Sequence, residues 1–107
     1  MRLLESDFSR AQQLNARYLN ALDTDRLLHN FRTNAGLKPK APVYGGWESV
    51  ETWADIRCHG HTLGHYLSAC AMHYAATGDE TFKEKVAYVV AELAECQAAG
   101  NNGLICA

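Results

Sequence analysis

Residues 60–99, GHTLGHYLSACAMHYAATGDETFKEKVAYVVAELAECQAA, decide the fold of this chain. Apolar residues recur at helical spacing on both sides of the short break TGD, which predicts one helix over about 60–77 and a second over about 80–99. Gly78 is typical of a helix end, and Asp79 can cap the helix that follows. Because the break is only two or three residues long, the two helices must form an antiparallel hairpin.

The two helices of this hairpin differ in their apolar patterns. Small or apolar residues occupy nearly every face of the first helix, so it is expected to be mostly buried. The second helix is amphipathic, with an expected core stripe of Phe82, Val86, Val89, Val90, Leu93 and Cys96. Its expected solvated residues are Lys83, Glu84, Lys85, Glu92 and Glu95.

Two further helices are predicted in the first third of the chain. One spans about 7–22, with Ser6 or Asp7 as its N-cap and an apolar stripe of Phe8, Ala11, Leu14, Tyr18 and Leu22. The other spans about 24–35 and is followed by Gly36. Strand patterns are almost absent. The sequence therefore predicts an all-α fold of antiparallel helical hairpins, with residues 1–107 forming a single helical domain.

A long loop is predicted over residues 37–59, between the two pairs of helices. Loops of this length without regular structure are uncommon and often functional. Within it, the glycines of YGGWE let the backbone bend, Trp47 offers a flat apolar face, and Glu48 offers a carboxylate. For YGGWE, the structural alternative is a loop anchored by one buried tryptophan. For the loop as a whole, the alternatives are a poorly ordered linker or one weak helical turn in ESVETWADI.

The stretch RCHGHTLGHYLSA, residues 57–69, contains three of the five histidines. His61 and His65 share one face of the predicted helix, an arrangement that can bind a metal ion, although Thr62 stands where HExxH requires glutamate. A structural histidine pair and a polar edge of a ligand pocket are the alternatives, and the pocket edge is favoured. Gly64, inside the helix, costs about 1 kcal/mol relative to alanine, which indicates close packing or room for a ligand. The metal alternative would use Cys58, His59, His61 and His65.

Composition excludes several classes of protein. The chain has 48% hydrophobic and 21% charged residues and a net charge of −2, so no nucleic-acid or membrane partner is expected. MRLLESDFSR lacks the apolar region of a signal peptide, so the chain as given is expected in the cytoplasm. The four cysteines match no zinc-finger spacing and are predicted to be free thiols. No nucleotide motif is present, and no cofactor is expected in this chain.

The chain resembles the N-terminal part of bacterial β-L-arabinofuranosidase-type glycoside hydrolases, a family once catalogued as a domain of unknown function. The resemblance rests on four segments that occur in order: AQQLNARYLNALDTDRLLHNFRTNAGL, YGGWE, GHTLGHYLSACAMHYAATGD and VAYVVAELAECQ. The likeness runs from about Ser6 to Gly103. It implies a fragment of an (α/α)₆ toroid and, in full-length members, retaining hydrolysis of arabinofuranosides by a cysteine held on zinc. No stretch here matches the zinc motif, so neither a catalytic residue nor a metal ligand is expected. The residues that the resemblance assigns to sugar binding are His65, His61, Glu48 and Trp47.

The resulting prediction is a truncated segment of a glycoside hydrolase that is inactive alone and contacts carbohydrate in the full parent. Two other functions stay open. An open helical fragment leaves apolar faces uncovered, which favours a homo-oligomeric binding or assembly module. The histidine cluster would instead suit a small metal-binding protein.

Overall fold

The computed structural model describes residues 2–49, 58–100 and 103–107, and all structural statements concern these residues. They contain five α-helices and no strand, which confirms the all-α prediction. The helices are α1 (Asp7–Ala21), α2 (Thr24–Leu27), α3 (His29–Asn34), α4 (His61–Thr77) and α5 (Glu80–Ala99), with one 3₁₀ turn at Gly46–Glu48. The single helix predicted over 24–35 is two short helices that meet at Leu28.

Local capping sets most of the helix ends, as the sequence predicts. Ser6 forms a capping box with Ser9 at the start of α1, and the Asp79 carboxylate accepts the Thr81 N–H at the start of α5. After α3, Gly36 takes φ +78°, and the Leu37 N–H donates to the Arg32 carbonyl at 2.8 Å. This bond is the outer one of a Schellman motif, so the chain leaves α3 at a fixed angle into the loop.

The hydrophobic core lies where the α4–α5 hairpin meets α2 and the C-terminal half of α1. Its fully buried side chains are Phe82, Leu28, Leu63, Val89 and Cys70. The ring of His73, also buried, lies 4.3 Å from the ring of Phe82. Burying each large apolar side chain contributes about 1.5–3 kcal/mol, so these few residues hold the helices together.

The predicted apolar core stripe of the first helix is wrong except at Leu22, which is partly buried against the core. Phe8, Leu14 and Tyr18 are 78%, 62% and 63% exposed, and α1 buries Leu19 instead. Apolar periodicity identifies the apolar face of a helix, but the packing of the neighbouring helix decides which face is buried. Here α4 packs against the side of α1 that carries Leu19.

Two further burial predictions are also wrong. One face of α4 is open to solvent, with Met72 66% exposed, so α4 is not mostly buried. On α5, Val90 is exposed, whereas Glu92 is buried. Glu92 is buried because Arg32 of α3 reaches it, with 2.7 Å between the guanidinium Nη1 and the carboxylate Oε2. A buried carboxylate needs such a partner.

The described part of the predicted 37–59 loop, residues 37–49, is held down on both sides. Lys40 pairs with Glu92, and the Arg32 Nε donates to the Lys38 carbonyl at 3.0 Å. On the other side, Arg26 and His29 hydrogen-bond to carbonyl groups between Ala41 and Val43. Residues 50–57, which include Trp53 and most of the predicted helical turn, lie outside the described residues. No helix in the described ranges is long and apolar enough to cross a membrane.

Candidate functional site

The start of α4 is shaped by a glycine that no other residue could replace without strain. Gly60 has φ +80°, a conformation that side chains disfavour. A Cβ atom at this position would also lie 2.6 Å from Cζ of Phe31 and 2.8 Å from Cβ of Ala107. Gly60 therefore brings α4 close to α3 but cannot cap α4, because it has no side chain.

The missing cap is supplied by Glu48 from the 3₁₀ turn. Its Oε2 accepts the Gly60 N–H at 2.9 Å, and its Oε1 accepts the Thr62 N–H at 3.3 Å. The residue is only 4% exposed, and its backbone carbonyl accepts the Asn30 side-chain amide at 2.8 Å. A negative group is favoured at a helix N-terminus, where the first N–H groups lack helical partners.

Three exposed rings at this helix start contact one another in succession: Trp47, His61 and His65, called here the aromatic row. The Trp47 and His61 ring centroids are 5.6 Å apart, and those of His61 and His65 are 4.5 Å apart. The two Nε2 atoms of the histidines lie at 3.1 Å, so one donates a hydrogen bond to the other. Trp47 is 48% exposed, which rules out the alternative of a buried anchoring tryptophan.

A groove of about 280 Å³ continues from His65 between α1 and α4. Its walls include Asn15 and Tyr18 of α1 and Thr62 and Tyr66 of α4. The phenolic oxygen of Tyr66 is buried without a hydrogen-bond partner among the described atoms, and burial raises the pKa of Tyr66, so it stays a neutral phenol. The groove thus joins an imidazole, an exposed tyrosine ring and amide and hydroxyl groups.

The sequence predicted the four residues of the site but not their supports. Trp47, Glu48, His61 and His65 are indeed neighbours, but Glu48 faces backbone amides. Whether any of the four contacts a sugar stays a prediction. Asn30 and Tyr18 were missed, because the packing of α1 and α3 on α4 leaves no local signal in the sequence.

The metal alternative finds no support in the described residues. Within 2–49, 58–100 and 103–107, no group of three or more His, Cys, Asp or Glu side chains is placed to hold a metal ion, and this covers Cys58, His59, His61 and His65. The four cysteines are free thiols, as predicted. Burial raises the pKa of Cys70 and of Cys96, which keeps both thiols protonated at neutral pH.

Fold and site together define an all-α domain with indole and imidazole rings exposed at one helix start. The sequence model of the β-L-arabinofuranosidase, GH127 catalytic domain family matches residues 1–107. The chain therefore belongs to this family of glycoside hydrolases. No curated protein sequence matches it.

Proposed function

We propose that this chain is an N-terminal segment of the catalytic domain of a retaining glycoside hydrolase acting on arabinofuranosides. In this proposal Trp47 stacks on the sugar ring, His61 and His65 hydrogen-bond its hydroxyl groups, and Glu48 belongs to the same rim. Family membership supports the substrate class. The observation that carries the site assignment is the aromatic row, with its exposed indole beside two imidazoles.

The chemistry of the row suits a sugar. The hydrogen bond between the two Nε2 atoms leaves Nδ1 of each ring for a sugar: the ring that donates through Nε2 can accept through Nδ1, and the ring that accepts through Nε2 can donate through Nδ1, which complements a pair of hydroxyl groups. The indole face of Trp47 provides an apolar surface for the C–H groups of the ring. Tyr18, across the groove, offers a second aromatic face for the group attached to the sugar.

Titration of the ¹⁵N-labelled chain with methyl β-L-arabinofuranoside tests the site. We expect saturable NMR shifts at the Trp47 indole and at the His61 and His65 rings, and their loss in His65→Ala. Met72→Ala, a substitution on the same exposed face of α4, is the matched control and should bind like the wild type. Shifts that are absent from the row, or that survive in His65→Ala, would reject the assignment.

We further propose that the 107-residue chain does not hydrolyse glycosides alone. The family resemblance implies a cysteine nucleophile held on zinc, and no stretch of this sequence matches that zinc motif. The carboxylate beside the row belongs to Glu48, and both of its oxygens accept backbone N–H groups. The expected result is no release of nitrophenol from a nitrophenyl arabinofuranoside. Release that disappears in His65→Ala would show that the short chain is an enzyme.

Self-association is a second candidate function, and the exposed face of α1 favours it. Phe8, Leu14 and Tyr18 form an apolar stripe of a kind that soluble monomers seldom expose. Antiparallel pairing of two α1 helices would cover both stripes and bring the Asp7 end of one copy beside the Arg17 end of the other. We therefore propose a second copy as the partner. Sedimentation should show a dimer that Leu14→Glu dissociates, and a monomer at all concentrations would reject this function.

A further inference from the structure

We infer that Glu48 is a positioning residue: its buried carboxylate, by capping α4, sets the mutual orientation of Trp47 and His61. The effect on sugar binding rests on the proposed function above. The geometric part does not, because it concerns the chain without any ligand.

The argument starts from adjacency along the chain. Trp47 precedes Glu48 within the 3₁₀ turn, so the turn that places one places the other. His61 lies between Gly60 and Thr62, the two residues whose N–H groups the carboxylate accepts. The two hydrogen bonds of one side chain therefore fix both partners of the contact between the indole and imidazole rings.

The N-terminus of α4 is capped by a residue distant in sequence, because its own N-cap residue, Gly60, has no side chain. Gly60 at φ +80° sits against Phe31, and a side chain there would overlap that ring. With no side chain at the N-cap position, the first N–H groups of α4 need an acceptor from elsewhere. Glu48 is that acceptor, and Asn30 of α3 holds its backbone carbonyl at 2.8 Å, which limits the turn to one position.

A carboxylate suits this task better than an amide. Both carboxylate oxygens accept hydrogen bonds, and one is used for each of the two N–H groups. A glutamine offers one oxygen, and its NH₂ group would meet an N–H donor at the other bond. Glu48→Gln thus keeps the size of the side chain and one of the two hydrogen bonds but loses the other hydrogen bond. It therefore tests whether both hydrogen bonds are needed to orient the two rings.

The test uses the sugar-free 107-residue chain and two NMR readouts. One is the nuclear Overhauser effect between indole protons of Trp47 and imidazole protons of His61. The other is amide hydrogen exchange at Gly60 and Thr62. In Glu48→Gln we expect a weaker Overhauser effect and about fivefold faster exchange at one of the two amides, the factor that one lost capping bond corresponds to. In Glu48→Ala we expect both amides to exchange faster and the effect to vanish.

Two further variants keep the test falsifiable. Asn30→Ala leaves the carboxylate intact but releases the backbone of Glu48, so it should weaken the same Overhauser effect. Glu84→Gln removes an exposed carboxylate of α5 and should change neither readout. An unchanged ring contact and unchanged exchange in folded Glu48→Gln and Glu48→Ala would overturn the inference.

A final titration with methyl β-L-arabinofuranoside separates this inference from the proposed function. Weaker binding by Glu48→Gln together with a lost ring contact supports positioning. Weaker binding with the ring contact intact means that Glu48 contacts sugar directly, which overturns positioning. If the wild type binds no sugar but the ring contact still depends on Glu48, the proposed function fails and the positioning role stands.

Discussion

Two anchors hold segment 37–49 to the helices, and they differ in chemistry. At the α5 anchor, Arg32 and Lys40 pair with the buried Glu92. At the α4 anchor, Glu48 accepts two backbone N–H groups. The ion pairs of the α5 anchor join side chains, so apolar side chains of similar size could replace the charges of Arg32 and Glu92, although the Arg32 Nε also donates to the Lys38 carbonyl. The donors of the α4 anchor belong to the backbone, and among the standard residues only proline would remove them.

The anchors also differ in what lies next to them. The α4 anchor borders the aromatic row directly, because Trp47 and His61 are chain neighbours of its bonded groups. The α5 anchor lies beside Tyr88, with the Lys40 ammonium 5.3 Å from the ring centroid. We conclude that the α5 anchor mainly stabilises the fold, whereas the α4 anchor also shapes the candidate site. Four predictions test this contrast, from the largest expected effect to the smallest.

Breaking the α5 anchor should be the most damaging change. Arg32→Met leaves Glu92 buried with Lys40 as its remaining partner, and we expect a loss of about 3 kcal/mol in the free energy of unfolding. Urea unfolding measures it. The double variant Arg32→Met/Glu92→Leu should recover much of the loss, since both buried charges are gone. A double variant no more stable than the single one would contradict the view of a replaceable anchor.

A substitution of Gly60, beside the α4 anchor, should lower the free energy of unfolding by straining the backbone. Gly60→Ala forces a side chain into φ +80° and into contact with Phe31, and we expect a loss of about 2 kcal/mol. Gly64→Ala is the matched control, because Gly64 is helical with no neighbour within 4 Å of its Cβ position. It should stabilise the chain by about 0.5–1 kcal/mol. Equal effects of the two substitutions in thermal unfolding would show that Gly60 is not under strain.

The pH dependence of the free energy of unfolding should depend on the ion pair between Arg32 and the exposed Glu95, next to the α5 anchor. The Arg32 guanidinium lowers the pKa of Glu95 by its hydrogen bond and charge. A lowered folded-state pKa gives stability that is present above the ordinary glutamate pKa and is lost as the pH falls through the folded value. The difference in the free energy of unfolding between the wild type and Glu95→Gln, measured by urea unfolding at several pH values, should therefore shrink as the pH falls. Glu84→Gln, the control, should not show this trend, and a constant difference for Glu95→Gln would refute the ion pair.

The smallest effect concerns thiol labelling, which leaves the fold intact. Cys106 is exposed and should react with a maleimide first, whereas the buried Cys70 and Cys96 have raised pKa values and should react slowly. Arg32 lowers the pKa of Cys96 against the effect of burial. Because Arg32→Met also destabilises the fold, the readout is the pH dependence of labelling: the Cys96 profile should move to higher pH, whereas the Cys70 profile should keep its position. Profiles that move equally at both thiols would contradict the effect of Arg32 on Cys96.

The sequence predicted what is local and missed what depends on contacts between segments. The bounds of α4 and α5 follow from apolar spacing and from Gly78 and Asp79, and the structure confirms them within one residue. The solvent-facing side of α1 could not be predicted, because the packing of Leu19 on α4 decides it.

The candidate site shows the same division. The resemblance to the arabinofuranosidase family placed Trp47, Glu48, His61 and His65 in one region, and they are neighbours in the structure. The hydrogen bonds of Glu48 were not predictable, because its partners lie 12 and 14 residues away along the chain. Hydrogen-bond partners so distant in sequence follow no helical or strand period. The burial of Glu92, 60 residues from Arg32, was missed for the same reason.

The connection between α4 and α5, only Gly78 and Asp79, also bears on how the molecule opens. Neither helix can separate far from the other without unfolding, so we expect their amides to exchange as one cooperative unit with the slowest rates. Among its residues α1 buries only Leu19, so it should open at a lower free energy and exchange first. Opening of α1 would widen the groove beside His65, while the aromatic row, which belongs to α4 and the 3₁₀ turn, would stay in place.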